Sequence, residues 1–402
     1  MGKNADRNQL CRCGSGKKIK KCKCKLSMLD RVFPKGRLID LGNGAFFHVM
    51  GAYDADPYSE FQNYEEKKYA PFYNPEQIRT IMNPSTAKDI LLKKQADSIV
   101  DNIRVVRVFF NRYNRSNNWD YEHIIDDSIF AEFKTLISAE SFFDKIRNIP
   151  CGMTYDSDPN GQCIKTQYGN IITISAMLKE FLYYMNLFYM GFMQERIPND
   201  VTRHSLVLAI RIMLQNETLD FELDSRGEVP SKIDNELTAY TMGEIFFVIA
   251  HEFSHSILDH LDSKNVIEAK DNYVYYNQSQ LQEFEADINA IHILNSFMDE
   301  ENAVGHAINF FMAIDLYEQV KEQISPSMGH IKTHPDSMDR IKRLLEEFPT
   351  PEFKLENLIS MNDSIKNILM DLVSTQYDLF EMYGSVYLGE WHKINKVDRV
   401  DY

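Results

Sequence analysis

The chain has 402 residues, of which 44% are hydrophobic, so it is long enough to bury a sizeable core and to form more than one domain. Its formal net charge of −15 at pH 7 argues against nonspecific nucleic-acid binding by the whole molecule. The N-terminus lacks the apolar stretch of a signal peptide, and no apolar run is long enough for a transmembrane helix. We therefore expect a cytoplasmic protein that does not bind membranes.

The first 25 residues differ from the rest of the chain in charge and in cysteine content. Four of the six cysteines lie there, beside six lysines between residues 17 and 25. In a long chain without a signal peptide, this clustering predicts a metal site rather than disulfides. The predicted zinc ligands are Cys11, Cys13, Cys22 and Cys24.

The run RNQLCRCGSGKKIKKC, which ends at Cys22, closely resembles the SEC-C zinc module at the end of the SecA translocation motor. That motif expects Cys or His directly after Cys22, whereas here Lys23 precedes Cys24. The resemblance implies a structural zinc in a closed four-thiolate site, which leaves no open position for catalysis. Such a knuckle would act as an adaptor, and its lysines would suit an acidic protein, a ribosome or an RNA surface. The alternative is a reduced basic tail.

Residues 26–235 have mixed, mainly helical character. Pro84-Ser85 is a start signal for a helix from Thr86 to about Arg112. Residues 163–175 are rich in Ile and Thr around a Tyr-Gly-Asn turn, which predicts extended structure. Helices are expected over about Ala176–Met193 and Thr202–Leu214, and residues 216–234 predict a loop. Cys151 and Cys163 are interpreted as structural.

Residues 236–350 contain the candidate catalytic residues, and their sequence pattern predicts mostly helix. One helix is expected from about Glu236 to His260, and another begins at Ser279 with Gln282 in a capping-box pattern. Residues 351–402 predict a helical tail. The expected fold class is α+β and mostly helical.

The central motif is His251-Glu252-Phe253-Ser254-His255. Residues four apart share one helical face, so both imidazoles can reach one Zn²⁺ and leave room for a water. Glu252 lies beside that water and can act as the general base. The alternative is that the motif binds no metal and is simply two histidines on an amphipathic helix, one buried and one at the surface.

A third ligand is expected from the segment QEFEAD. Glu283 and Asp287 share a helical face, so Glu283 can bind the metal while Asp287 accepts a hydrogen bond from a ligand histidine. Glu285 is the alternative ligand. His260 lies out of phase for an arrangement in which a third histidine completes the site.

The segments HEFSHSILDH, EFEAD and THPDSMDRIKRL together resemble the gluzincin family of the CAAX prenyl protease and the heat-shock protease HtpX. By position, the resemblance implies His251, His255 and Glu283 as ligands, Glu252 as base and Asp287 as the orienting acid. It also places His334 and Arg340 where the family binds substrate or the developing oxyanion. The soluble bacterial phage-exclusion peptidases of the Lit type resemble the chain as well, and the two affiliations stay open.

Many members of the prenyl protease family are embedded in membranes, and this chain has no spanning segment, so a soluble protein or peptide substrate is implied. In such proteases the substrate often pairs with an edge strand beside the metal helix. Gln167–Ser175 is the candidate edge strand, and an ordinary core strand is the alternative. The sequence therefore predicts a zincin-like peptidase with one catalytic and one structural zinc. The competing hypothesis is a non-catalytic metal-binding adaptor or sensor.

Overall fold

The structure is a computed structural model. The residues that it describes are 37–42, 45–49, 58–61, 63–102, 104–109, 127–156, 160–194, 196–215, 217, 227–262, 266–270, 273–276, 280–324, 334–381 and 386–391. Cys11, Cys13, Cys22 and Cys24 lie outside them, as does Ser279.

The chain divides into two compact units, Met1–Ile78 with Phe109–Tyr121, and Arg79–Val108 with Glu122–Tyr402. The first unit contains an antiparallel pair of strands, β1 (Arg37–Gly42) and β2 (Ala45–Val49). It also contains the short helix α1 (Tyr64–Lys67), whose first turn is capped because the Asn63 side chain accepts a hydrogen bond from the Glu66 amide.

The second unit is mostly helical and contains one mixed sheet, which confirms the expected α+β class. The boundary between the two units in the sequence falls within helix α2 (Pro75–Met82), and the remaining helices come after it in the chain. They are α3 (Ala87–Val100), α4 (Ser128–Leu136), α5 (Phe143–Ile146), α6 (Ala176–Gln194), α7 (Asn199–Met213), α8 (Ser231–Ile257), α9 (Gln280–Leu294), α10 (Glu300–Ile324), α11 (Ser337–Glu347), α12 (Leu355–Thr375) and α13 (Asp378–Glu381). None of the helices within the described ranges has the length and apolar character needed to cross a membrane.

The sheet of the second unit has five strands in the order β3-β5-β4-β7-β6. β3 and β5 are parallel, and the other neighbours are antiparallel. The strands are β3 (Cys151–Thr154), β4 (Gly161–Thr166), β5 (Gly169–Ser175), β6 (Val266–Lys270) and β7 (Tyr273–Tyr276).

The two faces of β4 pack against different helices, as the alternation of side chains along a strand requires. Ile164 and its partner Ile171 on β5 form a buried cluster with Ile90 and Leu91 of α3. On the other face, Gly161 lies against α8. The sheet is therefore enclosed between α3 and α8, and its α8 face borders the helix that carries the HExxH motif.

Helix α8 is the central element of the second unit. Every residue from Gly243 to His255 is buried, and the run from Ile245 to Ala250 within this stretch is apolar on all sides, as expected of a helix in the core. Its Phe253 stacks on Phe133 of α4, with ring centroids 5.9 Å apart. A Cβ on Gly243 would overlap the His306 ring of α10, so a glycine is required for these two helices to approach this closely. The motif is thereby held on a rigid, buried support.

The structure corrects several expected boundaries. The helix predicted from Thr86 to Arg112 is interrupted, since α3 ends at Val100 and residues 104–109 form a separate helical stretch. Thr86 caps α3 in a capping box with Asp89. Helix α8 starts at Ser231, inside the region predicted as a loop, and it runs across the boundary drawn at residue 235. It ends at Ile257, before His260, which lies in a 3-10 turn.

The expectation that Gln167–Ser175 forms an edge strand is wrong. β5 covers most of that range and lies inside the sheet, because it pairs with β3 on one side and with β4 on the other. The alternative prediction, an ordinary core strand, is correct. The helices predicted near Ala176–Met193 and Thr202–Leu214 correspond to α6 and α7, and the helical tail predicted over residues 351–402 contains α12.

Candidate metal centre

Two consecutive turns of α8 bring His251 and His255 together. Both side chains are buried, and their Nε2 atoms lie 3.1 Å apart. Helix α9 adds the buried carboxylate of Glu283, whose oxygens lie 3.5 Å from His251 Nε2 and 3.7 Å from His255 Nε2. Among the described residues, His251, His255 and Glu283 form the one group that could hold a metal ion.

The spacing of these three groups fits a zinc ion. Ligand atoms at the usual zinc–nitrogen distance are roughly 3.3 Å apart in a tetrahedral site. The two imidazole nitrogens lie 3.1 Å apart, close to that value, and the Glu283 oxygens lie 3.5 Å (Oε2 to His251) and 3.7 Å (Oε1 to His255) from them, so that one atom from each residue lies within 4.8 Å of the others. Two imidazoles and one carboxylate also form a ligand set found in catalytic zinc sites, which keep the fourth position for water or substrate. The residues present therefore fit the predicted metal.

A buried acid and a buried base support His251 from the side opposite the cluster. Asp287 Oδ1 lies 2.9 Å from His251 Nδ1, one turn along α9 from Glu283. Arg340 on α11 holds both oxygens of Asp287, at 2.7 Å from Nε and 2.5 Å from Nη2. The guanidinium also covers the ring of Phe311 at 4.3 Å. Asp287 can thus fix the ring orientation of His251, and Arg340 fixes Asp287.

His334 approaches Glu283 from outside the buried cluster. Its Nδ1 lies 2.8 Å from Glu283 Oε2, while 44% of its side chain remains exposed. His334 and Arg340, the two residues for which the resemblance implies substrate or oxyanion binding, therefore differ in burial. Arg340 is buried, is held by Asp287 and lies 3.6 Å from Glu283 Oε2, whereas His334 contacts the same carboxylate from the exposed rim of the site.

Glu252 lies between the two ligand histidines in sequence and points toward the sheet. Its side chain is buried, and a methyl group placed on Gly161 would lie 2.8 Å from Glu252 Oε1 and 2.7 Å from Val248 Cγ1. A glycine is therefore required where β4 approaches the carboxylate. The start of β4 and Glu252 form one side of the site.

Burial and close charges shift the pKa values of the cluster. Burial raises the pKa of Glu252 to about 7, although the nearby His251 opposes the rise. Burial alone would lower the pKa of His251, but hydrogen bonds to Asp287 and Glu283 raise it to about 10. Burial and the charge of His251 lower the pKa of His255. Burial opposes charge on Glu283, yet hydrogen bonds from His251 and His334 hold its pKa well below the usual range.

His260 and Glu285 also lie at the site, where neither belongs to the ligand cluster. His260 Nδ1 lies 3.0 Å from His255 Nδ1, and His260 Nε2 lies 3.2 Å from Glu285 Oε2. Glu285 points away from the ligand cluster, and Glu283 occupies the ligand position instead. The chain thus places a second contact behind each ligand histidine, Asp287 behind His251 and His260 behind His255.

The cysteines within the described residues are free and lie outside the metal cluster. Cys151 and Cys163 both pair with Ile172, from opposite sides of β5, so about two strand spacings, roughly 10 Å, separate them. That distance is too long for a disulfide. Cys163 Sγ lies 3.2 Å from Ser256 Oγ, and burial raises the pKa of both thiols.

The chain is similar to the family described as Peptidase U49 over residues 220–359. That family includes the Lit-type peptidases, and the match spans α8, α9 and α11, which carry the whole cluster. It supports a peptidase, whereas the resemblances to HtpX and to the SEC-C module receive no such support. No curated protein and no solved structure matches the chain.

The sequence alone did not predict the approach of Gly161 to the site or a supporting role for His260, and it offered Glu285 only as an alternative ligand. A glycine at the start of a strand pattern is a signal for close backbone approach, but it does not say to what. Glu285 lies two residues from Glu283, so it projects to another side of α9. Only the tertiary structure brings it to His260.

Proposed function

We propose that the protein is a zinc-dependent endopeptidase. The main observation is that His251 and His255 of α8 and Glu283 of α9 lie close enough together to hold one metal ion. Glu252 directly follows His251 on α8. The similarity to a peptidase family over the same elements supports it. A purely structural metal site would have no use for a buried glutamate beside its ligands.

Zinc bound by the three ligands would polarise the scissile carbonyl and make an attacking water more acidic. Glu252 takes a proton from that water while the new C–O bond forms at the carbonyl carbon. When the C–N bond breaks, Glu252 returns the proton to the leaving nitrogen. The reaction needs no further reactant, since one water is consumed for each peptide bond hydrolysed.

Charge on the former carbonyl oxygen needs a donor that reaches into the open side of the site. His334 suits this role better than Arg340. Nδ1 of His334 donates to Glu283, so Nε2 can donate to this oxygen when the ring carries both hydrogens, and the half-exposed side chain leaves Nε2 within reach of a substrate. Arg340 is buried against Asp287 and Phe311, so it supports the ligands instead.

The outer edge of β4 is suited to hold the substrate. Among the described strands, β7 pairs only with Lys165 and Thr166 of β4, so Gly161–Ile164 has no strand beside it on that edge. An extended peptide could add to this edge through its main chain, next to Glu252. A soluble protein substrate is compatible with this mode of binding, because recognition of the backbone needs no lipid anchor.

The test begins with zinc content, measured by mass spectrometry on purified full-length protein. We expect about two zinc ions in the wild type, and the loss of one in Glu283→Ala and of the other in a Cys11→Ser, Cys22→Ser variant. Leu281→Ala, an exposed residue of the same helix, is the control and should keep both. Full zinc content in Glu283→Ala would refute the ligand assignment.

Activity is then tested by digesting a denatured proteome and comparing the new peptide termini made by wild type and by Glu252→Gln. We expect cleavage by wild type only. If zinc is bound as proposed but both proteins give the same termini, the adaptor or sensor hypothesis replaces the peptidase. The cytoplasmic location and the acidic protein, ribosome or RNA partner of the knuckle stay predictions.

A further inference from the structure

The second ligand histidine, His255, is contacted from behind by another histidine. His260 lies in the 3-10 turn that follows α8, and its ring centroid is 5.2 Å from that of His255 at an angle of 59°. The Nδ1 atoms of the two rings are 3.0 Å apart, within hydrogen-bond distance. On the far side, His260 Nε2 lies 3.2 Å from Glu285 Oε2 on α9. The three side chains form a continuous line from the metal cluster outward.

The Glu285 carboxylate at the outer end of this line determines which ring nitrogen of each histidine carries the hydrogen. An ionised carboxylate only accepts hydrogen bonds, so Glu285 requires the hydrogen of a neutral His260 to be on Nε2. His260 Nδ1 is then an acceptor, and it requires the hydrogen of His255 to be on Nδ1. The lone pair of His255 is thereby left on Nε2, the atom that faces His251 Nε2 at 3.1 Å and Glu283 at 3.7 Å. This tautomer is the one a metal ligand needs.

The two ligand histidines are therefore supported in different ways. His251 is backed by buried Asp287, which Arg340 neutralises. His255 is backed by a neutral imidazole, and its line ends at Glu285, whose side chain is 51% exposed. Because the end of the line is at the surface, substitutions there can test it without opening the buried core.

We propose that His260 and Glu285 are positioning residues that fix the tautomer and orientation of His255 for metal binding. His260 acts on the ligand directly, and Glu285 acts through His260. The inference rests on the proposed metal site, which it extends by assigning these two residues to its support.

The test measures zinc affinity by competition with a chromophoric chelator. It uses full-length protein carrying Cys11→Ser and Cys22→Ser, so that the N-terminal cysteines do not contribute. We expect His260→Ala to weaken zinc binding about 10- to 100-fold, and Glu285→Ala to weaken it by less than about tenfold. Glu356→Ala, an exposed glutamate of α12, is the control and should bind as the background does.

Two further variants separate positioning from a general structural effect. In the His260→Ala background, Glu285→Ala should cause no additional loss, because its route to the metal is gone. His260→Asn should recover most of the affinity, since Asn Oδ1 can accept the His255 hydrogen in place of Nδ1, and this variant should be insensitive to Glu285→Ala. Loss of folding alone would produce neither pattern.

Zinc affinity in His260→Ala equal to that of the background would overturn the inference, as would equal losses from Glu285→Ala with and without His260. In either case the metal site itself would stand. A background protein that binds no zinc would refute the proposed function and this inference together, so the two failures are distinguishable.

Discussion

Gly161→Ala should impair catalysis while leaving the metal in place. The three atoms nearest to the new methyl belong to Val248 and Glu252, and none belongs to a ligand. Ordinary contacts to a methyl group begin at 3.4 Å, whereas Glu252 Oε1 would lie at 2.8 Å. The carboxylate is the end of a flexible side chain, so it should withdraw by about 0.6 Å or more, a misplacement that costs roughly 10- to 100-fold in kcat.

The assay uses a fluorogenic peptide built on a cleavage site found in the proteome digestion. kcat, KM and zinc content are measured for wild type, Gly161→Ala and Gly152→Ala. Gly152 is the matched control, because it lies on β3 of the same sheet and its added methyl meets the side chain of Gln95, outside the metal cluster. We expect the control to lose stability but to retain kcat and zinc.

Two results would refute this reasoning. A folded Gly161→Ala protein with wild-type kcat would mean that the position of the Glu252 carboxylate does not govern the reaction. A loss of zinc in parallel with activity would mean that the methyl disturbs the ligands, so that its effect could not be assigned to the base.

The remaining predictions concern stability, measured by urea unfolding. Burial raises the pKa of Glu244 to about 8, although Asn186 donates it a hydrogen bond at 2.8 Å. The folded protein then keeps a proton that the unfolded chain releases above about pH 4.5, so stability falls as pH rises toward 8. From about pH 5 to 7.5, the free energy of unfolding of wild type should fall by about 3 kcal/mol relative to that of Glu244→Gln. The exposed variant Glu132→Gln should follow wild type. A parallel pH dependence in Glu244→Gln and wild type would contradict this prediction. Arg340→Met should destabilise by about 3 kcal/mol, because buried Asp287 loses both hydrogen bonds from the guanidinium and keeps only its contact with His251; wild-type stability would show that Asp287 is not held as the ion pair described.

The local parts of the site could be predicted from the sequence because helix geometry connects sequence spacing to position. His251 and His255, like Glu283 and Asp287, are four residues apart, and a spacing of four places side chains on one face of any helix. The cluster of His251, His255 and Glu283 agrees with that prediction. The Pro84-Ser85 start signal is also local, and it predicted a helix start at Thr86, which caps α3.

The tertiary structure decided whatever depends on residues that are distant in the chain. Whether β5 is an edge or an internal strand depends on β3 and β4 beside it, and strand composition does not encode neighbours. The contact of Gly161 with Glu252 joins residues 91 positions apart, and that of Arg340 with Asp287 joins residues 53 apart. His260 is one position short of residue 261, where a third ligand histidine would be expected, but α8 ends at Ile257 and the turn that follows brings the His260 ring behind His255. Spacing within one helix is set by the backbone, whereas contacts between elements are set by packing, which a single sequence does not display.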